Sequence, residues 1–126
     1  MRVVLDDATE SLTQSIIGAA FEVFNALGQG FVESVYHKAL LHELRCRNLD
    51  VGQEVAFNVT YKGNNVGTYY ADIVVEERVI VELKVAEALA QPHIKQVVNY
   101  LRASGMPVGL LFNFGTPSLT FRRVLP

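Results

Sequence analysis

Cysteine is nearly absent from this 126-residue chain: Cys46 stands alone, so no disulfide can form within it. No uninterrupted apolar run approaches the roughly 20 residues that cross a bilayer, so no membrane helix is expected. The first residues lack the basic start and apolar core of a signal peptide, and together with the single thiol this leads us to expect a cytoplasmic protein. An excess of positive charge is missing too. The formal net charge is −2 and the isoelectric point about 5.9, so no basic field holds a polyanion at long range and strong unaided binding to nucleic acid is not expected. Internal repeats, low-complexity tracts and linkers are also lacking. What the chain does have is apolar mass. Hydrophobic residues make up 50% of it, which excludes global disorder. The length suffices to bury a core without staples, so residues 1–126 are expected to form one domain.

Apolar periodicity places the elements. Leu12, Ile16, Ala19, Ala20, Val23 and Leu27 recur at three and four, with Phe21 and Phe24 widening the stripe, which predicts a helix from Thr9 to Leu27. Gly28 and Gly30 in "LGQGF" supply the positive φ that a helix stop and tight turn require. A second helix is predicted from about Phe31 to Asn48, burying Val32, Val35, Tyr36, Ala39, Leu40 and Leu44. Val55, Phe57, Val59 and Tyr61 alternate in "EVAFNVTY", a strand that "KGNN" at 62–65 turns into a second one over 66–75, with a third at 79–85. Pro92 suits the first turn of a third helix whose Ile94, Val97, Val98 and Leu101 form one face. "MPVGLLFNF" has the pattern of a strand covered on both faces, parallel to its neighbour and reached by a right-handed crossover. "LTFRRV" supplies a short edge strand. The predicted order is therefore α-α-β-β-β-α-β-β, an α/β fold with a mixed central sheet flanked by helices.

The stretch "YYADIVVEERVIVELKV" at 69–85 conflicts with this apolar logic, because Asp72, Glu82 and Lys84 interrupt strands that otherwise read as core. Buried charge needs a partner, hydrogen bonds or a metal. Along the third strand Val79, Val81, Leu83 and Val85 share one face and Ile80, Glu82 and Lys84 the other. Whether Asp72 joins them depends on the loop. A two-residue turn at Glu76–Glu77 puts Asp72 and Glu82 on opposite faces, whereas a three-residue loop, Glu76 to Arg78, sets them across from each other. In the second case the mutual repulsion of two carboxylates favours a divalent cation or a shared proton. Glu33 lies inside the apolar arc of its helix, in the first turn where the helix dipole favours an anion, and is expected to face inward. His93, Gln96 and Tyr100 form a polar stripe beside the core face of the third helix. The blander readings are a buried salt-bridge cluster for the strand charges and an amide-bonded helix-start carboxylate for Glu33. Tyr36 reads as core, its hydroxyl within reach of Glu33. His37 and His42, five apart, and the pairs Arg45/Arg47 and Arg122/Arg123 read as surface.

These residues also carry a resemblance. "GFVESVY" at 30–36 is a Gly-x-x-Glu-x-x-Tyr motif, and with "AD" at 71–72, "ELK" at 82–84 and "QVVNY" at 96–100 the chain resembles the GxxExxY family of the PD-(D/E)XK nuclease superfamily. Ala71 stands where the superfamily name has its proline. The resemblance implies a restriction-endonuclease-like core in which Asp72 and Glu82 hold Mg²⁺ or Mn²⁺ with the Leu83 carbonyl, and Glu33 adds a direct or water-bridged contact. Lys84 would position or deprotonate the attacking water, while Gln96 and Tyr100 orient the site or touch the nucleic-acid backbone. The implied substrate is nucleic acid, DNA first. The acidic balance suggests reliance on a homodimer or protein partner. The alternatives are a catalytically silent module of the same fold that binds nucleic acid or protein, and a hydrolase of a smaller phosphate ester.

Overall fold

The computed structural model describes residues 5–126; residues 1–4 of the expected domain, with the start of the N-terminal segment, lie outside the described residues. The elements are α1 (Asp7–Leu27), α2 (Glu33–Cys46), β1 (Val51–Tyr61), β2 (Asn64–Val75), β3 (Val79–Lys84), α3 (Gln91–Ser104), β4 (Val108–Asn113) and β5 (Thr120–Val124). They follow the predicted order, and β1 to β5 lie side by side in sequence order in one sheet. Pairing is antiparallel except between β3 and β4, which run parallel with α3 as their connection. Asp6 caps α1 through the Thr9 amide, and Gly105 ends α3 in the left-handed conformation.

The sheet separates two cores. On one side α1 and α2 pack on Ile73, Val75, Val79, Val81, Leu83, Leu110 and Phe112; on the other α3 packs on Ala71, Val74, Ile80, Leu111 and Val124. Strand alternation accounts for this division along β3 and β4. It fails in β2: Ile73 faces α1 and α2, whereas Ala71, two residues earlier, packs with α3. At the same level of β1, Glu54 has a left-handed φ of 49°, and pairing skips from Gln53↔Ile73 to Val55↔Ala71. β3 pairs only with residues 73–75 of β2, so the rest of the β1–β2 hairpin is a two-stranded arm, free to twist more strongly than a five-stranded sheet. It turns over at Glu54/Asp72 and lays Val55 and Phe57 against α3.

Two sequence expectations need correction. Val32 does not join the buried side of α2: it is the N-cap residue and is 66% exposed, because burial along this helix begins only at Tyr36. Arg47 and Arg123 are not free surface charges. Arg47 bridges Glu43, Glu22 and the Ser15 carbonyl, and Arg123 bridges Glu10 and Thr13, so both fasten α1 to its neighbours.

Candidate active site

The loop between β2 and β3 decides the position of Asp72. Val75 pairs with Val79 and Ile73 with Val81, so the loop has three residues, and the same register sets Asp72 opposite Glu82. The loop lacks glycine, yet Glu76 and Glu77 both have φ of 53°. A distant contact holds this conformation: the Glu76 amide donates to the Asp50 carbonyl at 2.8 Å and the Asp50 amide to the Glu76 carboxylate at 2.8 Å.

Backbone pairing between β2 and β3 stops at Ile73–Val81, and the two acids take its place. The Asp72 amide donates to Glu82 Oε1 at 2.8 Å, and the Leu83 amide donates to Asp72 Oδ2 at 3.0 Å. Each carboxylate thus satisfies an amide where the strands part, and one oxygen of each is fixed. Glu82 is 2% exposed. Burial first, then the charge of Asp72, pushes its carboxyl up to about 9, with Lys84 opposing. The pair therefore favours a shared proton or a cation. Lys84, half-buried at the end of β3, makes no ion pair among the described residues. The Leu83 side chain is buried on the α1–α2 side, which leaves only its backbone to serve the site.

Glu33 does not face inward as its helical angle suggests. It is the first residue of α2, it is exposed, and nothing precedes it on the helix to cover it. Its carboxyl is nevertheless raised, by partial burial first and then by the charge of Asp72, with Lys84 and His37 acting the other way. It lies in the field of the acid pair without joining it: among the described residues no three His, Cys, Asp or Glu side chains converge to hold a metal. Two carboxylates and a backbone carbonyl still fit Mg²⁺ or Mn²⁺, since such ions are commonly held by one or two carboxylates with water and phosphate oxygens completing the shell.

Tyr36 makes no hydroxyl hydrogen bond to Glu33 among the described residues. Fully buried and stacked on Phe114 with ring centroids 4.6 Å apart, it donates to the Gly28 carbonyl and accepts from the Phe31 amide, closing the turn that delivers Glu33. Gly30, with φ of 122°, gives that turn its left-handed step. On α3, Tyr100 is 6% exposed and its phenol is pushed up to about 12, by burial and then by Glu82 and Asp72, with the Gln96 side chain acting the other way. His93 turns back to accept from the Ala90 amide and lies outside this group.

Three residues were missed. His37 is not simply surface: its Nε2 lies 3.2 Å from the Asp72 carbonyl. The signal was available, because His37 follows Glu33 by one helical turn. Asn113 is fully buried at the end of β4 and bonds both backbone groups of Ala86, fixing the chain just after Lys84. Its sole polar side chain in an apolar run was the clue. Tyr69, whose ring lies 5.4 Å from that of Tyr100, gave no signal because the strand's face reverses at Asp72.

The family described as the PD-(D/E)XK nuclease superfamily matches residues 10–124. No curated protein matches the chain. The crystal structure of SSO0001 is similar with a TM-score of 0.56 at 18% identity, over 73% of this chain and 48% of that one. This chain thus spans about half the length of that protein, and at such identity the likeness is one of fold. The five-stranded mixed sheet flanked by helices is restriction-endonuclease-like.

Proposed function

The chain belongs to the PD-(D/E)XK nuclease superfamily, and from that premise we propose that it is a single-domain, metal-dependent nuclease of the GxxExxY group that hydrolyses phosphodiester bonds at Asp72, Glu82 and Lys84. The observation that carries the reading is the reciprocal amide capping of Asp72 and Glu82, which holds two carboxylates side by side where one is buried and costly to ionise. Asp72, Glu82 and the Leu83 carbonyl would hold Mg²⁺ or Mn²⁺, with Glu33 as a further carboxylate nearby. When bound, the ion would supply charge stabilisation on the phosphate and acidify water. Lys84 Nζ orients the attacking water and balances the acids, in keeping with its opposing effect on both Glu82 and Glu33. Gln96 and Tyr100, one turn apart on α3, orient the site or meet the substrate backbone. His37 holds the Asp72 backbone against α2. DNA in the cytoplasm is the proposed substrate, with a partner or second copy strengthening a weak grip.

The test is hydrolysis of labelled single- and double-stranded DNA and RNA with Mg²⁺ or Mn²⁺ at low ionic strength, beside Lys84→Ala. Cleavage by the wild type that the variant loses supports the reading. Equal trace activity from both returns the protein to a binding module, which its net charge of −2 does not favour for nucleic acid.

A further inference from the structure

The two-stranded arm and α3 enclose a cleft of about 370 Å³, lined by Asn58 and Thr60 of β1, Tyr69 of β2, and Asn99 and Arg102 of α3. Tyr69 links the cleft to Tyr100 and, along β2, to Asp72. The Tyr69 ring lines the cleft and packs at 5.4 Å from Tyr100, which lies in the field of Glu82 and Asp72. Tyr69 also precedes Asp72 by three strand residues, about 10 Å of chain. Tyr69 is 41% exposed and lines the cleft, so an aromatic surface is offered to it. Asn99 brings an amide that both donates and accepts, and Asn58, whose Oδ1 accepts from Thr68, keeps its NH₂ to donate, as base edges require. Arg102 is exposed and makes no ion pair among the described residues; Lys95 and Asn99 share its face of α3 at spacings of seven and three. An aromatic platform, amides and a cationic stripe are the recognition chemistry of unpaired nucleotides. The volume lies near the lower end for small-ligand sites, room for one nucleotide and not for a duplex.

We propose that this cleft binds an unpaired nucleotide of a single-stranded nucleic acid whose backbone continues to Asp72 and Glu82. The inference rests on the nuclease reading for its substrate, and makes single strands or frayed ends the preferred form.

The test is fluorescence anisotropy of a labelled single-stranded oligonucleotide, as DNA and as RNA, and of its duplex, at low salt with chelator so that nothing is cut. The wild type should bind the single strand at least about tenfold more tightly than the duplex, and Tyr69→Ala should weaken it about tenfold while Tyr69→Phe retains it. Arg102→Ala should weaken it and lower the salt dependence by about one ion. Arg122→Ala, on the edge strand, should bind as the wild type does. Preference for the duplex, absence of binding, or wild-type affinity in both Tyr69→Ala and Arg102→Ala would overturn the cleft; so would an equal loss in Arg122→Ala, which would mark general charge attraction. Cleavage that needs Lys84 but ignores the cleft variants sinks the cleft alone. Single-strand binding that needs Tyr69 and Arg102, without Lys84-dependent cleavage, sinks the nuclease reading alone.

Discussion

The two faces of β3 share one backbone and divide its work. Val79, Val81 and Leu83 enter a dry core beneath α1 and α2, where side chains are interchangeable in kind and constrained by volume. Ile80, Glu82 and Lys84 face α3, and there the apolar packing stops after Ile80. The difference is produced by what lies opposite. On the first face helices cover the strand to its end. On the second the β1–β2 arm turns over at Asp72, the ladder opens, and two carboxylates fill amides that no strand can reach. Stability resides on one face, and the proposed site sits on the other.

The largest separation between the faces should come from Lys84→Ala. Cleavage is expected to fall by about a hundred- to ten-thousandfold, the scale for losing an acid–base or charge-stabilising group, with thermal unfolding little changed. Leu83→Ala, one residue earlier on the covered face, should do the reverse. Denaturant unfolding should show a loss of about 2–5 kcal/mol, with cleavage per folded molecule nearly retained because the site uses only its backbone.

A smaller effect concerns pH. The Glu82 carboxyl is raised from an ordinary 4.5 to about 9 in the fold, so the native state holds a proton that the unfolded chain releases between those values. Metal-free stability should be full below pH 4.5 and decline as pH rises toward 9. Glu82→Gln should flatten that decline, and saturating Mn²⁺ should offset it for the wild type alone; melting curves across pH would check both. The smallest effect is expected from Tyr36→Phe, which removes the hydroxyl joining Gly28 and Phe31. A loss of about 1 kcal/mol in denaturant is expected, with a modest loss of cleavage as Glu33 drifts.

The order of elements and the parallel β3–β4 pair were legible because apolar periodicity is local and strong along these segments. The acids' common face was legible only as one of two alternatives. The loop that decides it uses two glutamates at positive φ, and what holds them is Asp50, 26 residues away. Glu33 was misplaced because a helical angle cannot tell that the first turn extends past its neighbours. Arg47 and Arg123 looked solvated because their partners on α1 are distant in sequence, as Arg123 and Glu10 are. The reversal of β2 at Asp72 left no trace in composition. It arises where β2 and β3 stop pairing, a property of the sheet rather than of the strand.

The central claim is that Asp72 and Glu82 share one divalent cation. Crystals grown with Mn²⁺ and measured at the manganese absorption edge test it most directly. The predicted result is a single anomalous peak within coordination distance of both carboxylates and the Leu83 carbonyl, absent from Glu82→Gln crystals. A peak elsewhere in the wild type, or an undiminished peak in Glu82→Gln, would contradict it.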